Sequence, residues 1–142
     1  VTVVNADAFN WLRKTKERFD YVVVDLPDPS SYSVGKMFTK RFYRELHRVV
    51  TDNGAAVIQS TSPFVARKAF WCVDETLRAA GFKTNAFHVN VPSFGEWGLC
   101  RCPPRQVATA DGGADWHALP PRRDDSQSLQ FSTRHGAPKS RR

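Results

Sequence analysis

Four apolar stretches in the first 91 residues have the composition of short buried strands, and they lie at 1–4, 21–25, 55–59 and 85–91. The second stretch, Tyr-Val-Val-Val-Asp, is continuously apolar, which is typical of a central parallel strand covered on both faces. The fourth alternates between apolar and polar residues. These stretches predict the strands of one sheet.

Helical patterns separate the predicted strands. A short helix follows Asp7, which is placed to cap it. Two longer helices have apolar residues at spacings of three and four, and Gly54 and Gly81 are predicted to end them. The second of these is expected to begin at Ser-Thr-Ser-Pro, 60–63. Their predicted buried faces are Phe38, Phe42, Leu46 and Val49 in one helix, and Ala66, Phe70, Val73, Leu77 and Ala80 in the other.

This alternation predicts an α/β domain over 1–98, with a parallel sheet, right-handed crossovers and helices on both faces. From Cys100 the composition changes, because prolines and glycines become frequent and large aliphatic residues become rare. We expect 99–142 to be a basic, Pro/Arg-rich, disordered tail. Leu-Cys-Arg-Cys-Pro-Pro-Arg-Gln, from residue 99, is predicted not to form a strand because prolines and arginines interrupt it.

The net charge of +7 in 142 residues is concentrated in the tail, which has eight Lys/Arg against four Asp/Glu. The remainder has thirteen against ten, without a basic helix face interleaved with aromatics, so a nucleic-acid partner is not predicted. Three cysteines without zinc-ligand spacing predict no metal site and a reducing compartment. The sequence has no apolar run near 18 residues and no leader pattern. Since it begins without Met inside a strand-like run, we expect a fragment truncated at the amino end.

Polar residues follow the predicted strands at the ends where α/β proteins bind ligands. Asp7, Asp25 and Gln59 follow the first three strands, and Asp28 lies three residues beyond Asp25. A single aspartate at such a place is most often a helix cap or turn residue. That reading is weaker for Asp25 and Asp28 together, because the prolines at 27 and 29 already constrain the backbone.

Two carboxylates held at the mouth of a cleft suit a cationic substrate. An alkyl ammonium has a pKa of roughly 10, so it must lose a proton before it can act as a nucleophile. A nearby carboxylate can bind the cation and accept that proton. A second carboxylate can hold another ammonium group, so the pair favours a diamine.

The sequence resembles the polyamine aminopropyltransferase (spermidine synthase) family over 1–98, in particular the bacterial branch fused to a membrane-spanning region. The motifs, in order, are NADAFNWL, FDYVVVDLPDP, GKMFTKRFYREL, GAAVIQSTSP and VPSFGEWG. The resemblance implies a Rossmann-like, class I methyltransferase-like fold and transfer of an aminopropyl group from decarboxylated S-adenosylmethionine to putrescine. The products would be spermidine and methylthioadenosine. Decarboxylated S-adenosylmethionine would be a co-substrate, with no tightly bound cofactor.

The resemblance also implies roles for individual residues. Asp25 matches the catalytic carboxylate, and Asp7 with Ala8 matches the pair that contacts adenine. The amine site is matched by Asp28, Gln59, Phe94 and Glu96, where Phe94 replaces a tyrosine found in many relatives. Trp97 either closes this pocket or belongs to the core.

The family's glycine-rich GGGDG-type loop does not occur in the sequence. Two alternatives therefore stay open: a methyltransferase-like domain that uses intact S-adenosylmethionine, and a non-catalytic fragment that retains the fold. A cytoplasmic location is expected, with an inner-membrane anchor for the parent protein left open. The sequence does not decide whether the protein forms a homo-oligomer.

Overall fold

The computed structural model describes residues 1–28, 31–93 and 95–104. In chain order the elements are α1 (Ala8–Lys14), β1 (Phe19–Val24), α2 (Tyr32–Gly35), a 3-10 turn (Lys36–Phe38), α3 (Lys40–Val49), β2 (Val50–Gln59), α4 (Arg67–Ala79), β3 (Asn85–Val91) and β4 (Gly95–Cys102). In this part of the chain no helix combines the length and the apolar composition needed to cross a membrane.

The strands form one sheet in the order β1-β2-β4-β3. β1 and β2 are parallel, with Val24 beside Ile58, whereas β4 runs antiparallel to both of its neighbours. β3 therefore points in the same direction as β1 and β2 but is separated from β2 by β4. The predicted α/β architecture is confirmed, and the sheet is mixed rather than wholly parallel.

β4 shows that the prediction of no strand after residue 98 was wrong. The strand continues to Cys102 and ends where Pro103 and Pro104 follow, so the prolines terminate the strand without interrupting it. Arg101 is exposed, while Cys100 and Cys102 are buried on the other face. Burial raises the pKa of Cys102 to about 12, so this thiol stays protonated and packs as a small apolar group.

The strand predicted at 1–4 was also wrong, because this stretch is not part of the described sheet. Val1 and Val3 are exposed. Strand propensity largely reflects packing on a half-buried sheet surface, so a β-branched run without a paired neighbour has little to stabilise it. Residues 105–142 lie outside the described residues, and the prediction of a disordered tail stays a prediction.

Two helix boundaries differ from those predicted. α3 ends at Val49, and Val50 is already extended, so Gly54 lies inside β2 and does not end the helix. α4 begins at Arg67, while Ser62 accepts backbone N–H groups of the preceding turn. The signals at Gly54 and at Ser62 are local, and each lies outside the helix that it was predicted to end or begin.

The helices pack on one face of the sheet, where α1, α3 and α4 contribute to a single buried cluster. The predicted faces of α3 and α4 are largely confirmed, since the following side chains are buried: Phe42, Leu46, Val49, Phe70, Val73, Leu77 and Ala80. On the opposite face, Tyr21 and Val23 are each 64% exposed. Within the described residues, helices therefore cover one face of the sheet and not both faces as predicted, because the apolar faces of α3 and α4 both pack into the same buried cluster.

Candidate functional site

The carboxyl ends of β1 and β2 meet at one edge of the sheet. Val24 is beside Ile58 in the parallel register, so Asp25 and Gln59, the next residues of the two strands, lie at the same level. Asp25 and Asp28 are both exposed. Parallel pairing thus brings the loop of Asp25 and Asp28 to the end of β2, as the sequence predicted from strand order alone.

Gln59 links this loop to β4. With its amide nitrogen facing the loop, Gln59 donates a hydrogen bond to the carbonyl of Leu26 over 2.7 Å, and its amide oxygen accepts from Trp97 Nε1 over 2.8 Å. The orientation of the amide follows from this network of donors and acceptors. Gln59 and Trp97 therefore help to fix the backbone between the two aspartates.

Thr61 makes a second link, at the far end of the same loop. Its hydroxyl donates to Asp28 Oδ2 over 3.3 Å. Thr61 has a φ of +41°, a left-handed conformation that is rare for a β-branched residue. Its carbonyl accepts the N–H of Gly98, and the N–H of Ser60 donates to the carbonyl of Gly98, both over 2.9 Å. β4 thus holds the end of β2 from the other side.

Asp7 lies at the start of α1, followed by Ala8 as the first helical residue. Asp7 Oδ1 accepts the N–H of Asn10 over 2.9 Å, which confirms the predicted cap, and Oδ2 lies 2.6 Å from Lys36 Nζ. The ammonium of Lys36, followed by the N–H of Asn10, lowers the pKa of the Asp7 carboxyl from 3.8. Lys36 follows the loop of Asp25 and Asp28 in sequence, so this ion pair ties the end of that segment to α1.

Glu96 lies on the other face of β4 from Trp97, since successive strand residues point to opposite sides. Its carboxylate hydrogen-bonds with Nδ1 of His88 over 2.6 Å and with Nδ2 of Asn90 over 3.0 Å. The ring of Phe64 meets His88 edge-on at 5.2 Å. The structure therefore groups Glu96 with His88, apart from the contact between Gln59 and Trp97. Phe94 lies outside the described residues.

A cavity of about 120 Å³ opens beside Asp28. Asp28 and Thr61 line it on one side, and Phe38, Ala69 and Val73 supply apolar walls. A carboxylate at the edge of an apolar cavity can hold an ammonium group while a hydrocarbon chain contacts the walls. Asp28 is thus a predicted site residue that has space for a ligand beside it.

Three residues contact the predicted site residues but were not predicted from the sequence: Thr61, Lys36 and His88. Thr61 belongs to the quoted Gln-Ser-Thr-Ser-Pro stretch, yet nothing in it signals a positive φ. Lys36 is 29 residues from Asp7, and the pairing of His88 with Glu96 depends on the register of β3 and β4. Such long-range pairs have no local periodic signal.

Residues 1–102 match the family model described as "Spermine/spermidine synthase domain". The chain is 46% identical over 135 residues to polyamine aminopropyltransferase 2 of Ralstonia nicotianae, which covers 95% of this chain and 25% of the relative. It is 48% identical over 99 residues to the polyamine aminopropyltransferase of Leptospira interrogans, which covers 70% of this chain and 20% of the relative. The chain therefore spans a quarter or less of the length of these relatives.

Solved structures show the fold. A spermidine synthase in complex with the transition-state analogue AdoDATO superposes with a TM-score of 0.63 at 24% identity, over 72% of this chain and 36% of that one. The M1.HpyAVI–SAM complex superposes with a TM-score of 0.54 at 13% identity, over 75% and 55% of the two chains. The expected Rossmann-like fold, shared by spermidine synthases and methyltransferases, is confirmed.

Proposed function

The chain belongs to the spermine/spermidine synthase family, and from this premise we propose that the protein containing it transfers an aminopropyl group from decarboxylated S-adenosylmethionine to putrescine. The products are spermidine and methylthioadenosine. The observation that carries the proposal is the exposed pair Asp25 and Asp28 at the carboxyl end of β1. Gln59 hydrogen-bonds to Leu26, between the two aspartates, and Thr61 hydrogen-bonds to Asp28 itself.

The proposed reaction is a displacement at carbon. The lone pair of a neutral amine forms the new carbon–nitrogen bond, and the carbon–sulfur bond breaks, so its electrons convert the sulfonium to a neutral thioether. Asp25 accepts the proton that the attacking nitrogen gives up. Positive charge thus moves from sulfur toward nitrogen, and a carboxylate at the strand end stabilises the nitrogen side.

Asp28 has the complementary role of binding. Its carboxylate lies beside an apolar cavity and can hold an ammonium group of the diamine. Gln59 contributes by fixing the loop through Leu26. Phe94 and Glu96 are also proposed to line the amine site, Glu96 from the face of β4 opposite to Trp97. Glu96 is held in place by His88 and Asn90, which orient its carboxylate.

Asp7 and Ala8 are proposed to contact adenine at the start of α1. The Asp7 carboxylate is oriented by Asn10 and Lys36, so its position is defined before any nucleoside arrives. A carboxylate with a lowered pKa is ionised at neutral pH and acts as a hydrogen-bond acceptor, which suits the exocyclic amino group of adenine.

The test compares two nucleosides on the whole gene product that contains this chain. The carboxylates of Asp25 and Asp28 attract the free ammonium of decarboxylated S-adenosylmethionine and repel the carboxylate of the intact form. We therefore expect calorimetric titration to detect tight binding of the decarboxylated nucleoside and weak binding of the intact one. With putrescine added, mass spectrometry should detect spermidine and methylthioadenosine.

Two results would contradict this proposal. Equal affinity for both nucleosides, with a methylated product, would instead indicate a methyltransferase. Absence of binding by either nucleoside would indicate a fragment that retains the fold without the activity.

A further inference from the structure

Thr61 has a backbone conformation that needs an explanation. It is β-branched, yet its φ of +41° lies in the left-handed region that such residues rarely adopt. Backbone strain of this kind persists only where the surroundings hold it in place, and it is concentrated at functional sites. Within the described residues, no other non-glycine residue has a positive φ.

The surroundings of Thr61 do hold it. Its carbonyl accepts the N–H of Gly98, while Ser60 donates to the carbonyl of Gly98, each over 2.9 Å. A Cβ added to Gly98 would overlap the Thr61 carbonyl oxygen and would lie 2.7 Å from the ring of Phe70. The two backbones can approach this closely only because residue 98 has no side chain.

The conformation determines where the Thr61 side chain goes. At the end of β2 the strained backbone turns the hydroxyl toward the loop, and the hydroxyl donates to Asp28 Oδ2 over 3.3 Å. Asp28 and Thr61 both line the cavity of about 120 Å³, so the pair faces space that a ligand group can occupy. A single hydrogen bond from a rigid donor restricts the directions in which the free carboxylate oxygen can point.

We propose that Thr61 is a positioning residue for amine binding, which orients the Asp28 carboxylate toward the ammonium group of the acceptor. This inference rests on the proposed function. Thr61 does not touch the reacting atoms; it acts through Asp28. The strained turn at the end of β2 is thus part of how the protein selects a cationic acceptor.

The test uses matched variants of the whole gene product. Thr61→Val keeps the branched shape and removes the donor, whereas Thr61→Ser keeps the donor. Thr51→Val is the control, because it removes a similar hydrogen bond, from Thr51 to Asp20 over 2.7 Å, at the opposite end of the sheet. Asp28→Asn gives the effect of losing the charge itself.

Thr61→Val should raise the KM for putrescine by about tenfold, since a charge-assisted hydrogen bond is lost, while kcat and the KM for the nucleoside change little. Asp28→Asn should raise the KM for putrescine further. Thr61→Ser should restore a value near that of the wild type, and Thr51→Val should leave both KM values unchanged. If Thr61 had only a structural role, Thr61→Val would instead lower thermal stability and would not change the KM for putrescine more than the KM for the nucleoside.

If Thr61→Val does not fold, Thr61→Gly replaces it, because glycine adopts a positive φ without strain and also lacks the hydroxyl. An unchanged KM for putrescine in the folded valine or glycine variant would overturn the inference.

If the wild type binds putrescine but transfers nothing, the proposed function fails separately. Calorimetry with putrescine then decides, since weaker binding by Thr61→Val than by Thr61→Ser supports positioning and equal binding refutes it. A wild type that binds no putrescine refutes both.

Discussion

The two ends of the β1–β2 pair each carry a hydrogen bond from a threonine to an aspartate, but in different backbone settings. At the amino end, Thr51 and Asp20 lie within the strands and are joined over 2.7 Å. At the carboxyl end, Thr61 and Asp28 lie beyond the strands and are joined over 3.3 Å. The first bond cross-links two strands, whereas the second fixes the direction of an exposed carboxylate.

The cavities at the two ends of the β1–β2 pair differ in whether a carboxylate lines them. The amino-end cavity is the larger, at about 150 Å³, but its described lining, which includes His47, Gly81 and Phe82, contains no carboxylate. The carboxyl-end cavity is about 120 Å³ and includes Asp28. Cavity size therefore does not locate the candidate site, whereas the carboxylate that lines the smaller cavity does.

The largest expected effect would come from Asp25→Asn, compared with Asp20→Asn at the opposite end of the same strand. The amide keeps the shape of Asp25 but cannot accept the proton of the amine, so kcat should fall by about 10²–10⁴-fold. Nucleoside binding should change much less. Steady-state kinetics and calorimetry on the whole gene product measure both quantities.

Asp20→Asn serves as the control, because its side chain lies away from the carboxyl edge, and turnover should stay near that of the wild type. Similar losses of turnover in both variants would remove the functional distinction between the two ends. A rate close to that of the wild type for Asp25→Asn would rule out its role as the base.

A smaller effect, on stability, is expected for Gly98→Ala compared with Gly54→Ala. The added Cβ at residue 98 meets the Thr61 backbone and the Phe70 ring, neither of which can move easily. The free energy of unfolding should therefore fall by about 3 kcal/mol. At Gly54 the Cβ would lie 2.8 Å from the movable hydroxyl of Thr51 and 2.9 Å from the Asp20 carbonyl, so the loss should be about 1–2 kcal/mol.

Urea denaturation of the two glycine variants measures this difference. The reverse order, with Gly54→Ala the less stable variant, would mean that the contact between β4 and the end of β2 is looser than the structure indicates. The strained conformation of Thr61 would then lack the support that we assign to Gly98.

The smallest effect is expected from Lys36→Met. The pKa of Asp7 is lowered from 3.8 in the folded protein, so its carboxylate stabilises the fold above that value. This stabilisation is lost as the pH falls through the lower, folded pKa. Lys36→Met should therefore reduce the urea midpoint slightly near neutral pH and leave it unchanged well below pH 3.8. Lys16→Met, at an exposed position, is the control. A loss of stability that is equal at both pH values would contradict the assigned ion pair.

Much of the candidate site could be predicted from the sequence because its signals are local. The apolar run that ends at Val24 identified β1, and the prolines that follow indicated that Asp25 and Asp28 lie in a constrained loop. Since parallel strands present their carboxyl ends at one edge, Gln59 could be assigned to the same edge before the structure was known. Asp7 was predicted as a cap from the same kind of local evidence.

The sequence by itself determined the apolar faces of α3 and α4, three of the four strands of the described sheet and the residues at the ends of β1 and β2. These features depend on side-chain periodicity and on chain neighbours. Only the tertiary structure decided that β4 inserts between β2 and β3, that Gly98 lies against Thr61 and that Lys36 pairs with Asp7. Each of these depends on contacts between residues far apart in the chain. Their energies come from packing and hydrogen bonding across strands, and no local pattern records which distant partner will supply them.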